Sequence, residues 1–280
     1  MKHLGLLGYP LSHSHSPAMI NRLAKAKNWD CSYQPYSIEP EYLKEFISEV
    51  RHRPISGFNV TIPHKQTILS FCDEFSPEVQ AIRAVNTICN HNGKLIAHNT
   101  DVFGFNYGLE QLTKEFTSIK RAVLLGAGGA ARAAAFALAK MGCNKLIIAS
   151  RTDHRKIEWQ RDFVAIFSMT NISFCPLDQA ELEKHVQDAN MVVQTTPVGM
   201  FPEEDETVSF PFHVLTQDQL VFDLIYNPPK TKFLYQAEKQ GTKIQNGLTM
   251  LAAQAAKSLE IWGFEVEVEE VVESLEKVLN

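Results

Sequence analysis

The chain has 280 residues, of which 45% are hydrophobic and 21% charged, and its formal net charge is -5. This is the balance of a globular protein with enough chain for one large core or two ordinary ones. The basic excess of a nucleic-acid binder is missing, while a small acidic substrate held by a few local cations is not excluded. Cys31, Cys72, Cys89, Cys143 and Cys175 are scattered, odd in number and without a C-x-x-C pair. Neither a disulfide framework nor a metal site is therefore expected, and a reducing, cytoplasmic setting is. The first apolar run is too short for a signal peptide, and no stretch reaches the roughly 20 apolar residues of a membrane helix.

In chain order, Lys2 to Leu7 reads as a buried strand. The polar turn LSHSHSP leads into a predicted helix ending near Lys27, with Ser16 as its cap and Pro17 in its first turn. Cys31 to Ile38 is predicted as a strand, Pro40 to Arg51 as an amphipathic helix, Ile55 to Ile62 as a β-branched strand and His64 to Cys72 as a short helix. Ile88 to Asn99 predicts a hairpin around Asn92-Gly93, the dipeptide favoured by type I′ turns. Predicted strands follow at Arg121 to Leu125, Lys145 to Ala149, Ile172 to Leu177, Met191 to Thr196 and Leu220 to Tyr226, most of them separated by helical stretches. Continuous apolar strands alternating with helices imply a parallel sheet covered on both faces. The end of the chain predicts helices at Thr231 to Gln240, Gly247 to Trp262 and Val266 to Leu279.

The sharpest local signal is Gly126-Ala127-Gly128-Gly129-Ala130-Ala131, which fits G-x-G-x-x-A between a strand and an Ala-rich helix. Gly126 permits the tight turn, Gly128 leaves no Cβ between backbone and pyrophosphate, and Ala131 lets helix and strand close together. Free N–H groups and the positive end of the helix dipole would face the phosphates. In this context a dinucleotide site outweighs a plain tight turn. An NAD site usually ends its second strand in Asp or Glu, but this one ends in Ser150-Arg151-Thr152 with Arg155 close behind. A guanidinium there suits a 2′-phosphate, so NADP is favoured over NAD, although both arginines can be read as surface residues with Asp153 between them.

Ahead of this motif lie three polar segments at the ends of predicted strands: Ser12 to Pro17, Asn59 to Lys65, and His98-Asn99-Thr100-Asp101 with Asn86-Thr87 upstream. Hydroxyls and carboxamides suit a polyhydroxylated substrate. Taken singly, Ser16 reads as a cap, Asn59 and Thr61 as turn residues, Lys65 as a solvated lysine and Asp101 as the cap of the helix near Val102. Together, and beside a nucleotide motif, they suggest an acid–base pair. Lys65 would deliver a proton to an alkoxide formed by hydride transfer, and Asp101 would orient it.

The motifs Ser-His-Ser-His-Ser-Pro, Asn-Val-Thr-Ile-Pro-His-Lys, Asn-Thr-Asp, Gly-Ala-Gly-Gly-Ala-Ala-Arg, Thr-Thr-Pro-Val-Gly-Met and Gly-Leu-Thr-Met-Leu-Ala-Ala-Gln, running from Gly8 to Gln254, occur in the order found in shikimate dehydrogenases. The resemblance implies a two-domain α/β enzyme reducing 3-dehydroshikimate with NADPH in aromatic amino acid biosynthesis. It implies a substrate-binding and catalytic domain over 1–101, a Rossmann-like NADP-binding domain over 102–235, and helices over 236–280 returning to the first domain. It makes Lys65 and Asp101 catalytic, and Ser14, Ser16, Asn59, Thr61, Asn86, Tyr226 and Gln254 substrate contacts, with Lys65 and Asp101 also touching substrate. Tyr226 would stand at the rim near the nicotinamide.

For the cofactor the resemblance implies Gly126, Ala127, Gly128, Gly129 and Ala130 at the pyrophosphate, and Ser150, Arg151, Thr152 and Arg155 at the 2′-phosphate. Thr195, Pro197, Met200 and Gly247 would lie near the nicotinamide. Gln194 and Ser150 depart from a common Asn at each place. His13, His15 and His64 read as surface or packing histidines, with no spacing that supports a metal. The partner expected is the small-molecule substrate alone, on a monomer or homodimer, without nucleic acid or membrane. A quinate/shikimate dehydrogenase using NAD or NADP shares nearly all these motifs, and a nucleotide-sensing binding protein without turnover shares the fold.

Overall fold

The computed structural model describes residues 1–12, 14–113, 118–151, 154–163, 166 and 168–279. The chain divides into two compact units, one of residues 1–104 with 252–280 and one of residues 105–251.

The first unit is built on a mixed sheet of β1 (Lys2–Gly8), β2 (Cys31–Ser37), β3 (Gly57–Val60), β4 (Glu74–Phe75), β5 (Thr87–His91) and β6 (Lys94–His98). Their order is β2-β1-β3-β5-β6-β4. β1 runs parallel to β2 and β3, and β5 runs antiparallel to both β3 and β6. The β5–β6 turn places Asn92 at φ 54° and Gly93 at φ 89°, the two left-handed residues a type I′ turn requires. Helix α1 (Ser16–Ala26) and helix α2 (Leu43–Val50) flank the sheet sequence. α2 buries Leu43, Phe46, Ile47 and Val50, a helical stripe, into a core shared with Leu7, Phe58 and Ile88. α3 (Pro77–Ile82) starts at Ser76, whose hydroxyl accepts from the Val79 amide.

The second unit carries an all-parallel sheet of β7 (Arg121–Leu125), β8 (Lys145–Ser150), β9 (Asn171–Pro176), β10 (Met191–Gln194), β11 (Leu220–Asp223) and β12 (Lys243–Gln245). The order β12-β11-β10-β7-β8-β9 is that of a doubly wound nucleotide-binding sheet, with its reversal between β7 and β10. Leu125 pairs with Ala149 and with Gln194, and Gln194 pairs with Asp223, so the carboxyl ends of four strands finish level. Helix α4 (Asp101–Thr113) leads into this unit. α5 (Gly129–Lys140), α6 (His154–Asp162), α7 (Gln179–Val186) and α8 (Lys232–Glu238) connect its strands. α5 is buried along an almost unbroken run from Ala131 to Ala139, since alanines let a helix lie close to a sheet.

Helix α9 (Leu248–Ile261) and helix α10 (Val268–Leu279) end the chain. From Ala252 onward they belong to the first unit. The Trp262 indole donates to the Ile88 carbonyl at 3.0 Å, and the Ser274 hydroxyl donates to Met19 O at 3.1 Å. A Cβ at Gly57 would lie 2.4 Å from Trp262 Nε1, so that glycine admits the indole.

Several boundaries differ from the sequence expectation. The units divide at 104/105 and 251/252, later than the expected 101/102 and 235/236; the pairing of β12 with β11 holds the stretch after residue 235 in the second unit. The strand expected over Ile55 to Ile62 is a regular strand only over Gly57–Val60, with Ile55 joined to His3 by an isolated bridge. The helix expected over His64 to Cys72 is a 3-10 turn, Thr67–Phe71. The short elements β4, α3 and β12 carry too few residues to show a period. Among the described residues no helix is long and apolar enough to cross a membrane.

Candidate active site

Three chain segments of the first unit meet around Asp101. Lys65 follows β3, and its carbonyl accepts from the Val85 amide at 2.7 Å, which ties it to the strand-leading segment that carries Asn86. Asp101 is the first residue of α4, where its charge also suits the helix dipole. Lys65 Nζ donates to Asp101 Oδ2 at 2.5 Å; the lysine side chain is 19% exposed and the aspartate 7%. Asp101 Oδ1 accepts from Asn86 Nδ2 at 2.9 Å, and the same amide donates to Thr100 Oγ1 at 2.9 Å. Asn86 Oδ1 in turn accepts from the Thr100 amide at 2.7 Å. The ion pair therefore stands on a fixed scaffold rather than on mobile side chains.

A second layer lies beneath it. Tyr33 donates to Asn59 Oδ1 at 2.8 Å, and Asn59 Nδ2 donates to Thr87 Oγ1 and Ser258 Oγ at 3.0 Å each. Ser258 also meets Thr87 Oγ1 at 2.8 Å and Thr100 Oγ1 at 3.1 Å. Gln254, one turn earlier on α9, brings Oε1 to 3.3 Å from Asn86 Nδ2. Burial lifts the Tyr33 phenol well above its usual range, so it stays a neutral donor. Burial also lowers His98, with Glu78 opposing.

Ser14 and Ser16 are half-buried. Helix α1 begins at Ser16 itself, with His15 in the cap position and no side-chain cap bond, so Ser16 is not the cap expected from the sequence. Thr61 donates its amide to Leu7 O at 2.8 Å, and its methyl packs where a Cβ on Gly8 would approach to 2.4 Å. His64 is buried, with Nε2 at 2.7 Å from Ile38 O, a packing role. His13 lies outside the described residues.

In the second unit the functional candidates line the carboxyl edge of the sheet. Gly126 has φ 108°, and a Cβ there would come within 2.6 Å of Thr195 Oγ1. Thr195 donates from its hydroxyl to Leu125 O at 2.8 Å, joining the ends of β10 and β7. Gly128 is exposed, with nothing within 4 Å of its would-be Cβ, so the N-terminus of α5 opens onto free space for an anion. Ala127 is buried, and Gly129 and Ala130 form the first turn of α5. Ser150 ends β8, and Arg151 is exposed directly after it. Thr152 and the side chain of Arg155 lie outside the described residues.

Two buried polar residues at strand tips shape the remaining loops. Gln194 Oε1 accepts from the Thr196 amide at 2.6 Å, and Nε2 donates to Val198 O at 3.2 Å, curling the loop that exposes Pro197 and Met200. Asp223 accepts from the Ile225 amide at 3.0 Å and from the Thr231 hydroxyl at 2.6 Å. Burial pushes its carboxyl up to about 7, against the opposing pull of those two donors. Gly247 donates to Ile225 O at 2.9 Å, and a Cβ there would sit 2.1 Å from Leu224 O. Half-buried Tyr226 follows this doubly anchored stretch.

Known proteins match this arrangement along the whole chain. The family described as the shikimate dehydrogenase substrate binding domain matches residues 6–88, and that described as shikimate / quinate 5-dehydrogenase matches residues 110–225. A curated shikimate dehydrogenase (NADP(+)) from Desulforamulus reducens is 41% identical, over 95% of this chain and 91% of that protein. The chain belongs to the shikimate dehydrogenase family. A crystal structure of a shikimate dehydrogenase in complex with NADP+ superposes with a TM-score of 0.88 at 36% identity, covering 100% of this chain and 96% of that one. A quinate dehydrogenase from Corynebacterium glutamicum in complex with NAD reaches the same TM-score, 0.88, at 29% identity and 99% coverage of each chain.

Within this family the fold gathers Lys65, Asn86, Asp101 and Gln254 in one hydrogen-bonded cluster, with Asn59 in the layer beneath. Sequence reasoning missed Tyr33, Ser258 and Asp223. Ser258 was findable, because it lies four residues after Gln254 and so on the same helix face. Asp223 was findable as an acid at the carboxyl tip of a parallel strand.

Proposed function

We propose that this protein is a shikimate dehydrogenase, catalysing the reversible NADPH-dependent reduction of 3-dehydroshikimate to shikimate in aromatic amino acid biosynthesis. The observation that carries the reading is the Lys65–Asp101 pair at 2.5 Å, held by Asn86 in a chain of this family. Bound NADPH supplies the hydride. Lys65 supplies the proton to the oxygen of the reduced ketone and stabilises the charge that develops there. Asp101 orients the ammonium, and Asn86 orients Asp101. The half-buried hydroxyls of Ser14 and Ser16 are assigned to the substrate carboxylate, and Thr61, Asn86, Tyr226 and Gln254 to the remaining substrate contacts. Asn59, hydrogen-bonded to Tyr33, Thr87 and Ser258 just beneath them, is assigned to the substrate contacts as well.

The cofactor residues fit a dinucleotide. Gly128 leaves its ground open, Gly126 allows the turn, and the first turn of α5 provides amides for the pyrophosphate. Arg151, exposed at the end of β8 without an acid at the strand tip, is assigned to the 2′-phosphate, which favours NADP over NAD. The reaction is placed in the cytoplasm on the strength of scattered cysteines that build no disulfide framework. No macromolecular partner beyond a second copy of the chain is invoked.

One steady-state experiment crosses shikimate and quinate with NADP+ and NAD+. The reading expects the highest kcat/KM for shikimate with NADP+. A higher value for quinate with NAD+ replaces it with the quinate enzyme, and no turnover in any combination replaces it with a binding protein.

A further inference from the structure

Gly128 is free of any Cβ, which gives a ligand close access but leaves the backbone easy to rotate. Something else must fix the Ala127–Gly128 peptide. Trp159, on α6 and fully buried, donates from its indole Nε1 to the Ala127 carbonyl at 3.0 Å. The indole is packed on several sides. Phe163 packs edge-on at 5.2 Å between centroids, Phe174 of β9 at 5.8 Å, and the buried Arg132 guanidinium stands 5.8 Å from the ring centroid. In a planar trans peptide the C=O and the following N–H point in opposite directions. A carbonyl of Ala127 held against the indole therefore turns the Gly128 N–H away from the indole, on an exposed residue whose would-be Cβ meets nothing within 4 Å.

We propose that Trp159 is a positioning residue for the cofactor: by pinning the Ala127 carbonyl it presets the Gly128 amide to receive the pyrophosphate of NADP(H). The inference rests on the NADP(H) reading of the glycine-rich turn. It differs from a packing role for the ring, since the decisive atom is the indole N–H. Without that bond the Ala127 carbonyl loses its buried donor and the peptide can rotate, so part of the binding free energy goes into reordering the turn.

The test is Trp159→Phe in the full-length protein, with a site-specifically placed β-(3-benzothienyl)alanine as second variant. The latter keeps the bicyclic shape and replaces N–H by sulfur, so it covers the case in which the phenylalanine variant does not fold. Steady-state kinetics and direct titration with NADPH are read together. A KM for NADP+ raised about tenfold, with kcat at saturating cofactor and the KM for shikimate within about twofold of the unmodified protein, supports the inference. Unchanged cofactor affinity in the thienyl variant overturns it. So does a loss shared equally by both substrates, which marks a structural role. If the unmodified protein binds no NADP(H), the cofactor reading itself falls and the inference with it.

Discussion

Asp101 divides its carboxylate between two jobs: Oδ2 holds the Lys65 ammonium at 2.5 Å, while Oδ1 is held by the Asn86 amide at 2.9 Å. The lysine's direction is thus set through two residues of backbone-anchored scaffold. Replacing Lys65 by Ala removes the proton donor and is expected to lower kcat by about a hundred- to ten-thousand-fold, with the KM for shikimate changed only a few-fold. Asp101→Asn keeps the shape and the Asn86 contact surface but loosens the ammonium, and a smaller fall in kcat is expected. Steady-state kinetics at saturating NADP+ checks both, and an unchanged kcat in the Lys65 variant removes it from the chemistry.

Ser258 is fully buried and meets Asn59, Thr87 and Thr100 by hydrogen bonds. Ser258→Ala leaves these buried neighbours one partner short. A loss of about 1–3 kcal/mol in unfolding free energy is expected, measured by urea denaturation, together with a raised KM for shikimate. Full stability with full activity in this variant shows that the lower layer does not support the upper one.

The second unit was the more legible part of the chain. Its central strands β7, β8, β10 and β11 are buried along nearly their whole length, so each reads as a largely apolar run, and Arg121–Leu125 matches its prediction residue for residue. The hairpin at Asn92-Gly93 was legible because both residues tolerate positive φ. What stayed hidden was set by contacts far apart in sequence. β12 is three residues long and exists by pairing with β11. Thr195-Thr196 and Leu224 to Tyr226 looked like strand, but Gln194 and Asp223 draw the backbone into loops through their own side chains. At the site, Lys65 and Asp101 stood out as residue types, whereas the Tyr33–Asn59–Ser258 layer joins β2, β3 and α9 and has no linear signature.

Arg151 is exposed at the end of β8, where an acid would mark an NAD enzyme. A guanidinium–phosphate contact is charge-assisted and specific to the 2′-phosphate. Arg151→Ala is expected to raise the KM for NADP+ about tenfold or more while leaving that for NAD+ nearly unchanged. Equal effects on both cofactors would place Arg151 elsewhere on the nucleotide.

Two glycines separate binding from folding. A Cβ at Gly128 meets nothing within 4 Å, whereas one at Gly247 meets the Leu224 carbonyl oxygen at 2.1 Å. Gly128→Ala is therefore expected to keep its Tm and lose cofactor affinity, because the methyl enters the ground reserved for phosphate. Gly247→Ala is expected to lose several degrees of Tm, since backbone must move to admit the methyl. Thermal unfolding without ligand, paired with NADPH titration, tells these outcomes apart.

Asp223 gives the protein a pH dependence with a definite sign. Its carboxyl ionises near 7 when folded, because it is buried, against an ordinary value of 3.8. Between those values the folded chain holds a proton that the unfolded chain has released, so this residue's contribution to stability falls as pH rises from about 4 to 7 and is level above. The full span is on the order of 4 kcal/mol, an upper bound for one group. Asp223→Asn keeps an acceptor for the Ile225 amide but cannot ionise. The difference in unfolding free energy between the two proteins, measured by urea at pH 5 and pH 8, isolates this group from histidines such as His98 that titrate in both. The variant is expected to gain on the parent protein as pH rises, and a constant difference would show that Asp223 does not change its charge in this range.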